Sequence, residues 1–93
     1  MDISNAPVIS VVIPAYNVGR YIARTLDSIL SQSFRDWEAI VVNDCSPDNS
    51  AAIAKEYAAR DNRIRVVHND RNKGTMETRR AGYEAAKGEY LLF

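Results

Sequence analysis

Apolar positions recur along this chain in two periods, and the switches between them mark its elements. Val8-Ile9-Ser10-Val11-Val12-Ile13 is almost entirely β-branched. A near-continuous apolar run of that length predicts a strand buried on both faces, as in a parallel sheet. Pro14 has no N–H for a ladder, so the strand is expected to end there and Ala15 to Gly19 to turn. From Arg20 to Gln32 the period lengthens. Ile22, Leu26, Ile29 and Leu30 fall on one helical face, with Arg24, Asp27, Ser28 and Ser31 opposite.

Ser33 to Asp36 connects to a second strand, Trp37 to Asn43. Ser46 is a candidate N-cap with Pro47 at the first helical position and Asp48 in the first turn. The helix they open buries Ile53 and Tyr57 and runs to about Arg60, where Asp61-Asn62 breaks it. Ile64 to His68 predicts a short third strand, followed by a polar loop, Asn69 to Lys73. Thr75 is the expected cap of a third helix reaching Lys87, with Gly88 as its left-handed stop. Gly74, Thr78, Ala81, Gly82 and Ala85 share one side of it, which permits close approach to a sheet or a ligand. Tyr90-Leu91-Leu92-Phe93 opens a fourth strand.

The order βαβαβαβ predicts an α/β fold of three layers, α/β/α, around a mostly parallel sheet with right-handed crossovers. The expected strand order is 3-2-1-4, with the switch point between the first and fourth strands. No linker, repeat or low-complexity segment divides residues 1–93, so a single unit is expected. The run Leu91-Leu92-Phe93 is an apolar edge, which invites pairing. The expectation is an amino-terminal part of a longer protein whose remainder covers this edge. Self-association of the chain through its fourth strand is expected otherwise.

Composition narrows the classes. The chain is 46% hydrophobic and 26% charged, the balance of a globular protein. Twelve Lys and Arg offset twelve Asp and Glu, so nothing draws it to nucleic acid or an anionic membrane. One cysteine, Cys45, allows no internal disulfide and fits a reducing compartment. No apolar run has the length of a membrane span, and Met1 to Pro7 is no secretory signal.

The candidate chemistry gathers at strand ends. Asp44 follows the apolar run Ala39 to Val42 directly. In an open parallel sheet that is where the ligand crevice lies, and a carboxylate there accepts N–H or O–H donors. The alternative is that Asp44 shapes a turn or caps a helix. Tyr16 either packs under the first helix or offers its ring to a planar base. Of Arg79 and Arg80, one is expected to face solvent and one the crevice, where a guanidinium binds a carbonyl or phosphate. Cys45 reads as a turn or packing residue, and His68 as solvent-facing or structurally hydrogen-bonded. The glycine signatures of dinucleotide and P-loop sites are absent, and one Cys with one His makes no zinc site.

Several stretches together resemble the amino-terminal half of a family 2 glycosyltransferase. They are Val11-Val12-Ile13-Pro14-Ala15-Tyr16-Asn17, Leu26 to Ser33, and Val41-Val42-Asn43-Asp44-Cys45-Ser46-Pro47-Asp48. Asn72-Lys73-Gly74, Thr78 to Gly82 and Ala86 to Phe93 extend the match. The resemblance implies the Rossmann-like half of a GT-A fold that binds a nucleoside-diphosphate sugar. It implies that Pro14, Ala15, Tyr16 and Asn17 cradle the nucleoside. Asp44 would bind the base, and Arg79 would lie at the base or diphosphate. Uracil suits this set, since its N–H matches a carboxylate and its carbonyls an arginine.

Cys45 stands where the family often has glycine, and Arg80 where it often has asparagine. The implied whole enzyme is inverting, with a carboxylate base and a divalent metal, manganese or magnesium, whose Asp-x-Asp ligands are not in this chain. It would act in bacterial polysaccharide assembly, in the cytoplasm or at the cytoplasmic face of the membrane, on a glycan or lipid-linked acceptor. The 93 residues alone are expected to be inactive. Two other readings use the same residues: a catalytically silent nucleotide-binding or interaction module, and a flavodoxin-like or receiver domain. The receiver lacks its acidic cluster after the first strand.

Overall fold

A computed structural model describes residues 9–87 and 90–92, with the backbone alone at Thr75 and 90–92. Its elements are β1 (Ile9–Ala15), α1 (Ile22–Ser31), β2 (Trp37–Asn43), α2 (Ser50–Arg60), β3 (Ile64–His68), α3 (Gly74–Ala85) and β4 (Tyr90–Leu92). The sheet runs β3-β2-β1-β4, and every neighbouring pair is parallel.

Side chains on β2 alternate between two cores, as the pleat requires. Ala39 and Val41 join Ala15, Ile22, Leu26, Trp37, Ala54, Tyr57 and Ile64 in one core, packed with α1 and α2. Ile40 and Val42 join Val12 in the other, against Ala81 and Ala85 of α3. Helices therefore cover both faces of the sheet. That explains the apolar run Ala39 to Val42 in β2, a strand that is buried from Trp37 to Val42. The small-residue side of α3 works as expected: a β-carbon on Gly82 would overlap the Val12 side chain.

β2 and β3 occupy the residues predicted for them, and four elements differ at their boundaries. β1 runs through Pro14 to Ala15, with Pro14 in register with Val42. The Ala15 carbonyl accepts from Asp44 N–H, so Ala15 faces β2 and its neighbour Pro14 faces the β4 side. The described part of β4 reaches only Val11, so the proline's missing N–H breaks no ladder there.

The second difference is at α2. It begins at Ser50, with Asn49 at its N-cap, and not at Ser46-Pro47. Ser46 and Asp48 are drawn into bonds with the turn after β1 and leave the cap position. The third is at α3, which begins at Gly74 with Lys73 at its N-cap, two residues before the expected Thr75 cap, and ends at Ala85. Its end is fixed from outside: Arg65 donates to the Ala85 carbonyl at 2.8 Å, and Lys87 N–H donates to Glu38 at 2.6 Å. α1 likewise starts at Ile22, two residues inside the expected boundary. The predicted roles of Val8, Gly88 and Phe93 lie outside the described residues. No helix among the described residues is long and apolar enough to cross a membrane.

Candidate functional site

At the carboxyl ends of β1 and β2 the chain leaves a cleft of about 170 Å3, lined by Pro14, Ala15, Tyr16, Asp44, Asn72, Gly74 and Thr78. One wall is the end of β1 and the turn after it. The other is the start of α3, and Asp44 lies at the floor. Tyr16 is 47% exposed, so its ring is offered to the cleft and does not pack beneath α1. The volume is small beside the roughly 300–1,000 Å3 of a full small-molecule pocket, and suits one planar ring.

Asp44 is 4% exposed and fully engaged. Its Oδ1 accepts from Asn69 Nδ2 at 2.9 Å and Lys73 N–H at 2.7 Å, and its Oδ2 from Gly74 N–H at 3.0 Å. The Thr78 hydroxyl, which accepts from Asn69 Nδ2 at 3.2 Å, adds to the polar surroundings that favour the charged carboxylate. Burial alone would raise the carboxyl pKa, but these bonds outweigh it and hold the group below the usual range. Asp44 thus does what the alternative reading offered, with a different target. It caps α3, the helix after next, through two N–H groups that the first turn leaves without partners.

The two loops that frame the cleft are tied together by Asp48. Its Oδ2 accepts from Gly19 N–H at 2.8 Å, and its Oδ1 from Ser50 N–H at 3.1 Å. The Ser46 and Ser50 hydroxyls both donate to Oδ1. Their oxygens accept in turn from Asn17 N–H at 2.8 Å and Val18 N–H at 3.1 Å. Hydrogen bonds from Ser46 first, then Ser50, hold the Asp48 carboxyl far below its ordinary value.

Two residues here take left-handed backbone, Asn17 at φ 60° and Cys45 at φ 56°. Asparagine tolerates that region, and cysteine does so less readily. Cys45 is exposed, and its thiol donates to the Asn69 carbonyl at 3.3 Å, so its role is in the turn. His68 is exposed and 3.2 Å from Asn43 Nδ2, the hydrogen-bonded position expected of it.

The structure brings four of the predicted residues, Pro14, Ala15, Tyr16 and Asp44, to one cleft. Asn17 stands beside it, held by its backbone. Arg79 is not among the lining residues. It borders a second hollow of about 480 Å3 on the outer side of α3, with Met76, Arg80 and Tyr83. Sequence reasoning gave no site role to Asn69, which stood only as a polar loop position, or to Asn72, which stood in the loop and in the Asn72-Lys73-Gly74 stretch of the resemblance. Gly74 and Thr78 carried a signal in the small-residue side of α3. Among the described residues no group of three or more His, Cys, Asp or Glu could hold a metal ion. Both oxygens of Asp44 are already bonded to donors. These residues do not fit a divalent-metal site, and no chemical step is assigned to one here.

An open parallel sheet, helices on both faces and a cleft beyond the strand ends define a Rossmann-like α/β class. The family is defined by sequence: residues 10–93 match the model of glycosyl transferase family 2, and the chain belongs to that family. It is 46% identical over 87 residues to the uncharacterized glycosyltransferase EpsJ of Bacillus subtilis, covering 94% of this chain and 25% of EpsJ. Among solved structures it resembles S. aureus TarS 1-349 in complex with UDP-GlcNAc. That match has a TM-score of 0.84 and 33% identity, over 92% of this chain and 25% of the TarS chain. The mannosyltransferase PcManGT of Pyrobaculum calidifontis, solved with GDP-Man and Mn2+, shares the fold. Its TM-score is 0.83 at 23% identity, over 92% of this chain and 26% of that one. The chain therefore spans about a quarter of the length of these relatives.

Proposed function

We propose that residues 1–93 form the donor-nucleoside half of an inverting glycosyltransferase, and that the cleft takes the uracil end of a UDP-sugar. The observation that carries this reading is the cleft itself, a ring-sized slot with an exposed aromatic wall and a carboxylate floor. The family match and the likeness to a protein solved with UDP-GlcNAc support it.

Tyr16 stacks on the base. The backbone of Pro14 and Ala15 borders it, and Asn17 shapes the lip. A carboxylate offers about four acceptor sites. At Asp44 three are taken by Asn69, Lys73 N–H and Gly74 N–H, so a base N–H enters at Oδ2 beside Gly74 N–H on the floor of the cleft. Arg79 borders the hollow on the outer side of α3 and is assigned no contact with the nucleoside in this reading. The acceptor, a glycan or a lipid-linked glycan, the carboxylate base and the metal ligands are assigned to polypeptide beyond these residues. The chain alone then binds nucleotide and transfers no sugar.

Calorimetric titration of UDP, uridine and GDP into the chain tests this. Expected are saturable binding of UDP without added metal, weaker binding of GDP, and loss of about tenfold in Asp44→Asn, the size of one charge-assisted hydrogen bond. Asp44→Asn keeps one oxygen for the α3 N–H groups, so it separates binding from folding better than alanine does. No binding of either nucleotide by the folded, monomeric chain overturns the reading.

A further inference from the structure

The Asp48 network has a geometry that helix capping does not account for. Asn17, Val18 and Gly19 are consecutive, and all three of their N–H groups turn toward Asp48 or the two serines it holds. Successive N–H groups arranged this way, with a left-handed residue at one end, form a concavity that binds anions. Here the anion is part of the chain. Each serine gives its single hydroxyl proton to Asp48 and so presents only lone pairs to the turn. One carboxylate thereby sets the hydrogen-bond direction of two hydroxyls, and through them fixes three peptide groups of another loop. Gly19 is part of the fit, since a β-carbon there would overlap the Asn49 side chain and lie 2.9 Å from Asp48 Oδ2. The turn so fixed carries Tyr16, the aromatic wall of the cleft, one residue before Asn17.

We infer that Asp48 is a positioning residue for nucleoside binding: it holds the Tyr16–Gly19 turn at the spacing from Asp44 that admits a planar base. This rests on the nucleotide reading above and extends it to a residue outside the cleft lining. Asp48 touches no ligand. It acts by keeping the slot open at one width, so a ligand meets a preformed wall and loses no affinity to ordering it.

The test compares the unsubstituted chain with Asp48→Asn and with Ser46→Ala. Asp48→Asn places an amide where a carboxylate collects four donors. Ser46→Ala removes the acceptor for Asn17 N–H and one hydroxyl donor to Asp48, and leaves the Gly19 and Ser50 bonds to Asp48 in place. Dissociation constants are measured for UDP and for uridine, alongside amide NMR shifts of Asn17, Val18 and Gly19. The expected result is displaced resonances for these three amides and a loss of about tenfold or more for Asp48→Asn, with a smaller loss for Ser46→Ala.

The loss should be equal for UDP and uridine, because the turn meets the nucleoside and not the diphosphate. A purely structural role would lower the melting temperature and leave the affinity of the folded fraction unchanged. Affinity within twofold of the unsubstituted chain, with the three amides displaced, overturns the inference while the nucleotide reading stands. If Asp48→Asn does not fold, the same comparison on Ser46→Ala decides. Absence of binding in the unsubstituted chain overturns the nucleotide reading, and this inference falls with it.

Discussion

Cys45 shows how one backbone angle constrains a residue. At φ 56° an L-residue carries a steric cost of about 1–2 kcal/mol that glycine does not. Glycine loses more entropy on folding, about 0.5–1 kcal/mol. The thiol bond to the Asn69 carbonyl is weak. Cys45→Gly is therefore expected to stabilise the chain by about 0.5 kcal/mol, read as a higher urea midpoint at unchanged slope. Asp44 is the opposite case. Asp44→Ala removes an acceptor shared by Asn69, Lys73 and Gly74, and leaves donors at the start of α3 unmatched. A loss of about 2–4 kcal/mol is expected, with Asp44→Asn intermediate. The carboxylate at the end of the second strand was visible in sequence, as were the alternatives of ligand contact and capping. Which helix it caps was not, because the partners lie 29 and 30 residues away.

The third helix is seated by what its side chains lack. Gly82 lies against Val12, and a β-carbon there would come 3.0 Å from Val12 Cγ2 and closer still to Cγ1. Gly82→Ala must push α3 off β1 or force Val12 from its rotamer, at a cost of about 1–3 kcal/mol, although alanine is the better helix former. If chemical denaturation showed Gly82→Ala to be stabilising, the close seating of α3 would be wrong. This contact could be anticipated because small residues at helical spacing leave a mark in sequence. β2 and β3 were legible for a similar reason: both are apolar runs bounded by polar residues. The start of α2 was not. Ser46-Pro47-Asp48 has the composition of a helix N-terminus, but its hydroxyl and carboxylate groups bond the turn after β1. Local preference gave way to partners 29 residues distant. Arg79 shows the same limit from the other side, since a motif places it in the chain but not on a wall of the cleft.

Across the whole molecule, buried carboxylates tie the sheet to its third helix at both ends, and this makes stability depend on acid. At the carboxyl end Asp44 holds the start of α3. At the amino end Glu38, 6% exposed, accepts from Ser10, Arg65 and Lys87 N–H just past the end of that helix. Burial opposes ionisation of Glu38, and the bonds from Ser10, Lys87 and Arg65, with the Arg65 charge, outweigh it; its pKa lies below the ordinary 4.5. Asp44 is lowered from 3.8 by the same balance. A carboxyl whose pKa falls on folding binds protons more readily in the unfolded chain. Its contribution is therefore complete above the unfolded value and is lost as pH falls through the folded one. The chain should hold a level melting temperature from neutral pH down to about 5 and then lose stability steeply below about 4.5, the usual carboxylate range. Glu38→Gln separates the two ends: it should melt lower at neutral pH, where the Arg65 pair is lost, and fall less steeply in acid. Melting curves recorded between pH 7 and 3 decide this. Parallel acid limbs for the two proteins would show that Glu38 contributes nothing to the pH dependence, leaving the acid response to Asp44, to Asp48, whose carboxyl is also held low, and to the other carboxylates.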